Sequence, residues 1–330
     1  MLHLRTSSLN CTLLAVSLAG AAAAGETRVP TVASQNAIIF LTEIQSAQPG
    51  EGCNQFHTSK VGHCKTKVRA RILRVFKGEY DRETVPDEFE VQIQQTIIIS
   101  AISPWSDNNI QAGQRYLILS RASQIGPSAF ASTLAPVLVT DQEDTIGDLE
   151  LILNSEPLTL HQQASAVAGA IAASGTPHSY FLGNYAAGLL AAGSEADTMD
   201  LARAMEDSTD SAFSAFAKFL LLSELWDHSR SAAKPPENLL KTYIVITAQY
   251  FLLPSEEPTL DLPSLREDIL SHHIPWLLGS ERAKALMRTA LPPALSQRLR
   301  KQALDLAADE RQRQERRQLM KELLPLIGPN

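Results

Sequence analysis

The stretch KTKVRARILRVF, at residues 65–76, alternates basic and apolar side chains over most of its length. The basic side chains of one face belong to Lys65, Lys67, Arg69 and Arg71, and the apolar ones between them to Val68, Ala70 and Ile72. A period of two is typical of a strand with one buried face. The phase changes at Ile72–Leu73, which predicts a β-bulge there, with Leu73 and Val75 facing inward beyond it.

Four further segments on either side of this stretch have the composition of strands. They are NAIIFLTEIQSA (36–47), FEVQIQQTIII (89–99), QRYLILSRA (114–122) and PVLVT (136–140). Gly, Pro, Asp and Asn cluster between them, as is typical of the turns that join strands. Five strands of this kind predict a closed or nearly closed β-barrel.

The N-terminus, MLHLRTSSLNCTLLAVSLAGAAAAGETR, has the pattern of a secretory signal peptide. One basic residue, Arg5, precedes an apolar stretch from Cys11 to Ala24, and an A-x-A motif predicts cleavage near Ala24. That stretch is shorter than the roughly 20 residues that span a bilayer core, so a retained anchor is the less favoured alternative. We expect residues 1–24 to be removed and the product to be exported, with no membrane span in the mature chain.

Loss of Cys11 with the signal leaves two cysteines, Cys53 and Cys64, in GCNQFHTSKVGHC (52–64). An even pair in an exported chain predicts a disulfide. Zinc binding with His57 and His63 and a pair of free thiols are the alternatives. The spacing C-x3-H-x5-H-C differs from the usual structural zinc pattern, so the disulfide is favoured and no metal ligand is predicted.

Three segments, AIIFLTEIQSA, VRARILRVFKGEY and AGQRYLILSRA, resemble the netrin-like OB-fold barrel of tissue inhibitors of metalloproteinases. The similar motifs are R-V-F-K-G at 74–78 and G-x-x-Y-L at 113–117, and the resemblance covers residues 36–140. It implies a five-stranded OB-like barrel over residues 25–145 and, as one function, secreted protease inhibition. Those inhibitors chelate the protease zinc through an N-terminal cysteine. The mature chain has no cysteine before Cys53, so that mechanism does not carry over.

The basic side chains of residues 65–71 form the candidate binding face, which we call the basic strand face: Lys65, Lys67, Arg69 and Arg71. Residues 60–82 hold eight basic residues against two acidic ones. Such a face can hold a polyanion, but nucleic-acid readers interleave stacking aromatics, which are scarce here. We therefore expect an acidic protein or polymer as partner, or the chain's own acidic segment 141–150. The favoured alternative is a solvated strand face without a partner.

From residue 146 onward the periodicity is that of helices. Residues 157–174, 178–193 and 209–229 carry apolar side chains at helical spacing, and Ser194 precedes an acidic first turn. The apolar run 238–253 is long enough to predict a buried helix. An all-α domain at 146–330 follows, either a HEAT-like solenoid or a bundle, and the whole chain is therefore of the α+β class.

A last helix is predicted from about Pro293 to Leu324, with the polar middle AADERQRQERRQ at 307–318. Charge pairs at helical spacing would make this middle a solvated surface. Docking of a partner is the alternative function for the same segment.

Catalytic motifs are missing from the sequence, which has no G-x-S-x-G elbow, H-E-x-x-H pair or phosphate-binding glycine-rich loop. The best remaining candidate is REDILSHHIPW (266–276), in which Asp268 and His272 are four residues apart. His273 should point about 100° away on a regular helix. An ordinary Asp–His helix pair is favoured over an acid–base or metal cluster. The sequence predicts no catalytic residue and no cofactor.

The mature chain would carry 28 basic and 36 acidic residues, so its overall charge gives no attraction to nucleic acid. We therefore expect a non-catalytic binding or scaffold protein of the periplasm or extracellular space. A secreted protease inhibitor and a divergent hydrolase are the two alternative hypotheses.

Overall fold

The computed structural model describes residues 32–50, 62–83, 86–97, 110–122, 124–126, 129, 136–173, 175–253 and 262–327. The predicted signal peptide at 1–24, Cys53 and the side chain of Cys64 lie outside the described residues. Signal cleavage and the disulfide therefore stay predictions.

The N-terminal part is a five-stranded antiparallel sheet preceded by the short helix α1 (Val32–Gln35). Its strands are β1 (Ile38–Pro49), β2 (Gly62–Lys77), β3 (Glu88–Ile97), β4 (Arg115–Ser120) and β5 (Val137–Val139). Their order is β3-β2-β1-β4-β5, so β4 returns beside β1 in a Greek-key arrangement. The five predicted strands are thus present, and the chain is α+β.

The closed barrel is not confirmed. Closure would need β3 to pair with β5, and the pairings found in the described part of the chain leave these two strands at opposite edges of an open sheet. A long strand of 12 residues, β1, lies at the centre and pairs with both β2 and β4.

The predicted β-bulge is confirmed by the register of β1 and β2. Leu41 lies opposite Arg74, whereas Thr42 lies opposite Ile72, so Leu73 has no partner in the ladder. The inward orientation predicted for Leu73 is wrong, because the side chain of this extra residue is 40% exposed. Because Leu73 is an extra residue in β2, the alternation of buried and exposed side chains shifts by one position there, and Ile72 is buried.

The C-terminal part is helical. Its first helices are α2 (Thr145–Ser155), α3 (Leu160–Ala173), α4 (Tyr180–Ala192), α5 (Glu195–Ala212), α6 (Ala215–Ser231) and α7 (Glu237–Phe251). They are followed by α8 (Leu262–Asp268), a π-helix (Ile269–His273), α9 (Ile274–Gly279), α10 (Glu281–Ala290), α11 (Pro293–Ala308), α12 (Gln314–Leu323) and a 3-10 turn (Leu324–Leu326). Contacts join α3 with α5, α4 with α6 and α5 with α7, so helices two apart in the chain stack on each other. None of the helices in the described ranges is both long and apolar enough to cross a bilayer.

Two predicted helices are interrupted. The segment 209–229 breaks at Phe213, which is extended and pairs with His178, and Ser214 then caps α6 through a hydrogen bond from Ala217 N. The helix predicted from Pro293 to Leu324 ends at Ala308. Asp309 accepts hydrogen bonds from the backbone N–H of Arg311 (3.0 Å) and from its Nε (3.1 Å), which closes a turn before α12.

The sheet packs on both of its faces. On one face, Ile38, Phe40 and Ile118 belong to a core formed with β2 and β3. On the other face, five side chains join the core of the helical part: Ile39, Leu41, Leu117, Val137 and Val139. The sheet and the helices therefore share one hydrophobic core, which fixes the helical part against β1, β4 and β5.

Candidate functional site

The basic strand face lies on the exposed side of β2. Exposed and buried residues alternate from Lys65 to Ile72, as the sequence pattern predicts. Three ion pairs join this face to neighbouring strands: Lys67–Glu90 (2.6 Å), Arg69–Glu88 (3.1 Å) and Arg71–Glu43 (2.6 Å). The pairs partly neutralise the charges of these three basic residues, and the proposed docking role of the face stays a prediction.

The acidic segment 141–150 also contacts basic side chains of the sheet. Glu150 pairs with Arg74, and Asp141 pairs with Arg115 at 2.9 Å. Arg74 lies just beyond the basic strand face. The acidic segment therefore joins the sheet to α2 through exposed pairs, which are worth about 0–1 kcal/mol each.

The Asp268 region differs from the regular helix that the sequence suggests. In a π-helix, backbone hydrogen bonds link residues five apart, so His273 lies above Asp268. His273 Nε2 is 3.0 Å from Asp268 Oδ2, and His272 Nδ1 is 2.9 Å from Asp268 Oδ1. The prediction that His273 points away from Asp268 is therefore wrong, because it assumed 3.6 residues per turn.

A buried tyrosine extends this cluster. The Tyr243 hydroxyl and His273 Nδ1 are 2.8 Å apart, and both side chains are fully buried. In a neutral imidazole, Nε2 then donates to Asp268 and Nδ1 accepts from Tyr243. Burial raises the pKa of Tyr243 well above its usual value. Burial alone would raise the pKa of Asp268, but the two histidines outweigh it and lower that pKa.

The hydrogen bonds of this cluster have a structural role. Both ring nitrogens of His273 are engaged by groups of the protein, and its side chain has no exposed surface. Across the described ranges, no group of three or more His, Cys, Asp or Glu side chains could hold a metal ion. His273 instead ties the π-helix to α7.

A second buried cluster was not predicted from the sequence. His178 Nδ1 is 2.6 Å from Asp148 Oδ1, and His178 Nε2 is 3.2 Å from the carbonyl oxygen of Ala170. Both partners are acceptors, so the ring must donate from both nitrogens, which only the imidazolium can do. Burial lowers the pKa of His178, but Asp148 and Ala170 outweigh this effect and raise it.

This cluster is not a catalytic triad, although it contains Ser, His and Asp. The Ser179 hydroxyl donates to Asp148 Oδ2 at 2.8 Å, whereas a nucleophilic serine would donate to the histidine. The backbone N–H of Ser179 donates to the same oxygen at 2.6 Å. The buried ion pair therefore joins α2, α3 and the start of α4.

Aromatic rings connect the Asp268 cluster to a cavity on the helical part. The Trp226 ring lies 5.0 Å from that of His273, and Trp276 meets Tyr243 edge to face at 5.7 Å. The Arg230 guanidinium also lies over the Trp226 ring, 4.4 Å from its centroid. Trp226 therefore contacts both the buried cluster and the arginine.

The cavity has a volume of about 140 Å³ and lies between α6, the α6–α7 turn, α9 and α10. Its polar and aromatic lining includes Ser229, Arg230, Trp276, Ser280 and Arg282. Ser229 is 2% exposed, and its hydroxyl has no hydrogen-bond partner. The two charged side chains of the lining are both arginines.

The charges around the cavity are only partly compensated. Arg230 pairs with Asp227 at 2.8 Å, and one Arg282 nitrogen donates to the carbonyl oxygen of Pro235. A hydrogen bond from Lys241 and its charge lower the pKa of Glu237, and Arg282 lowers it further. Of the two arginines in the lining, Arg230 has a carboxylate partner. Arg282 has none among the ion pairs found in the described part of the chain.

Sequence reasoning missed this site because its residues come from four separate elements and form no motif. The only local signal is a serine and an arginine next to each other at the end of a helix, which is common. No protein-family model matches the chain, and comparison with the curated proteins and with the solved structures found no match.

Proposed function

We propose that this chain is an exported, non-catalytic binding or scaffold protein of the periplasm or extracellular space, with its binding site in the helical part. The observation that carries this proposal is the buried, unpartnered hydroxyl of Ser229 beside the two arginines of the cavity. Buried polar groups in folded proteins nearly always have a partner, so an exception within a cavity indicates a group that a ligand satisfies.

The export part of the proposal rests on the sequence. The apolar stretch ending near Ala24 supports signal cleavage, and the pair Cys53 and Cys64 supports a disulfide in an oxidising compartment. The finer architectures that we propose are a five-stranded OB-like barrel and, for the helices, a HEAT-like stack or a bundle. Pairing of β3 with β5 would complete the barrel.

The partner is an acidic molecule, either a protein or an acidic polymer, and not nucleic acid. Three cations of the basic strand face are paired with glutamates of the sheet, which makes it a poor docking surface. The cavity presents guanidinium groups, which suit carboxylate and phosphate geometry.

The test is native mass spectrometry of the chain purified from the envelope or medium of its own host. We expect a bound mass on the wild type that is lost in Arg282→Met. Arg288, exposed on the same helix, gives the matched control Arg288→Met. A ligand that stays on Arg282→Met, or a wild type that never carries one, would contradict the proposed site.

Inhibition of secreted proteases is the second candidate, favoured by the resemblance of residues 36–140. An inhibition assay of the mature chain against metalloproteases separates the two functions. Stoichiometric inhibition that is unchanged in Arg282→Met would replace the binding proposal.

A further inference from the structure

We infer that the cavity between α6 and α10 binds a single oxyanion head group, a phosphate or a carboxylate. This inference rests on the proposed function and names the ligand chemistry of the same site. The cavity, its two arginines and one unpartnered hydroxyl carry it.

The Ser229 hydroxyl identifies where the ligand makes contact. Serines inside helices usually donate to the carbonyl oxygen four residues earlier, as Ser223 does to Phe219 (3.1 Å) and Ser231 does to Asp227 (2.6 Å). Ser229 lies between them on α6 and makes no such bond. Its hydroxyl therefore has a donor that no group of the protein uses, on a residue that lines the cavity.

The guanidinium groups supply the charge. Arg282 uses Nη1 for the Pro235 carbonyl oxygen, and a guanidinium carries five N–H donors, so further donors are available to an oxyanion. That contact with the α6–α7 turn also holds the side chain in place. A positioned guanidinium loses less conformational entropy on binding than a free one.

Neighbouring carboxylates do not already occupy this role. Asp227 is engaged by Arg230 at 2.8 Å, and Glu237 by Lys241 at 2.5 Å. An oxyanion at Arg282 would therefore break neither of these ion pairs. Charge-assisted hydrogen bonds from a guanidinium to an oxyanion are roughly twice as strong as neutral ones.

The size of the cavity limits the ligand. Sites for drug-sized molecules have volumes of about 300–1,000 Å³, and a water molecule occupies about 30 Å³. A cavity of about 140 Å³ holds a head group and a few waters but not a large molecule. A larger ligand would leave its remainder outside, against Trp276 or the solvent.

Isothermal titration of the full mature chain tests the inference, with inorganic phosphate in one arm, acetate in a second and chloride as the control anion at constant ionic strength. We expect saturable binding of phosphate or acetate. Chloride should show no saturable binding and should act only by screening charges. Stronger binding of phosphate points to a phosphorylated ligand, and stronger binding of acetate to the carboxylates of an acidic polymer.

Four variants separate a built site from general charge. Arg282→Met and Ser229→Ala should each weaken binding by about tenfold or more, the effect of losing one charge-assisted hydrogen bond. Arg282→Lys should recover part of it, and Arg288→Met should match the wild type. Circular dichroism reports the fold of each variant, and if Arg282→Met does not fold, Ser229→Ala decides the question.

Two results would overturn the inference. One is binding that is equal in Arg282→Met, Ser229→Ala and the wild type, because the anion would then be held only by general charge. The other is failure of both phosphate and acetate to bind while native mass spectrometry still finds a ligand that depends on Arg282. That second result leaves the proposed function intact and rejects only the oxyanion.

Discussion

His178 is strongly constrained, because it is almost fully buried and bonded at both ring nitrogens. No sequence pattern indicates this role of His178, because Asp148 is 30 positions earlier and no motif links the two. A buried ion pair contributes little more stability than well-packed apolar residues would in its place. Removing only one of its two partners, however, is strongly destabilising. Its protonation state therefore controls how well α2, α3 and α4 hold together.

We expect the stability of the protein to fall as the pH rises above neutral. The pKa of His178 is raised in the folded state, so its contribution is complete below its unfolded pKa, about 6.5, and is lost as the pH rises through the folded value. Urea unfolding between pH 5 and 9 measures this slope. His178→Asn should flatten it and cost about 3 kcal/mol at low pH. The exposed His161→Asn is the control, and an unchanged slope in His178→Asn would refute the assignment.

At the scale of elements, strands and helices followed from hydrophobic periodicity, including the bulge in β2 and the buried helix α7. The positions at which the predicted helices are interrupted did not follow from this periodicity. Phe213 continues the apolar stripe of its neighbours but is extended because it pairs with His178, a contact 35 residues away that no local window contains. The π-helix and the turn at Asp309 likewise depend on side-chain contacts. The cavity could not be predicted because it arises where four elements meet.

The charges on β2 give a prediction about the sheet. If Lys67, Arg69 and Arg71 are all changed to Glu, each new carboxylate lies near the glutamate that now forms an ion pair with the basic side chain. Each contact between like charges on neighbouring strands destabilises the sheet by about 0.2–1 kcal/mol. Urea unfolding should show a loss of about 1–3 kcal/mol that shrinks in high salt. Reversing the three glutamates as well should restore most of it. A stable triple variant would show that the pairs contribute nothing.

A helix cap gives a second prediction at this scale. Ser194 begins α5 by accepting a hydrogen bond from Asp197 N at 3.2 Å. Ser194→Ala should lower the free energy of unfolding by about 1 kcal/mol, whereas Ser194→Thr, which keeps the hydroxyl, should retain most of it. Chemical denaturation of the two variants side by side measures the difference. Equal stability of the two would mean that this cap does not matter.

At the scale of the whole molecule, the sheet and the helices behave as one unit because they share a core. Ile39, Leu41 and Leu117 bury their side chains against the helical part, whereas Ile38 and Phe40 bury theirs on the other face of the sheet. The sequence pattern predicted buried strands but could not show that both faces of β1 are covered. We therefore expect β1, β4 and β5, which contribute to the core of the helical part, to unfold together with the helices.

The shared core predicts that residues 25–145 do not fold stably alone. In the isolated fragment, five apolar side chains that the helices cover would be exposed to water. Each Å² of apolar surface that is exposed costs about 25 cal/mol of folding free energy. We expect the fragment to be largely unfolded by circular dichroism, and the full chain with Leu117→Ala to lose about 2–5 kcal/mol in a single transition. A folded fragment, or two separate transitions in the full chain, would contradict this view.

The central position of β1 has a consequence for synthesis. This strand leaves the ribosome before the other strands, but its neighbour β4, which pairs Ser120 with Ile38, and the helices that cover its second face follow later. Contacts so distant in sequence form slowly, and the apolar edge stays open to other chains meanwhile. We therefore expect the chain to depend on a chaperone during synthesis, and its yield to be limited by aggregation of incomplete chains and not by the stability of the finished fold.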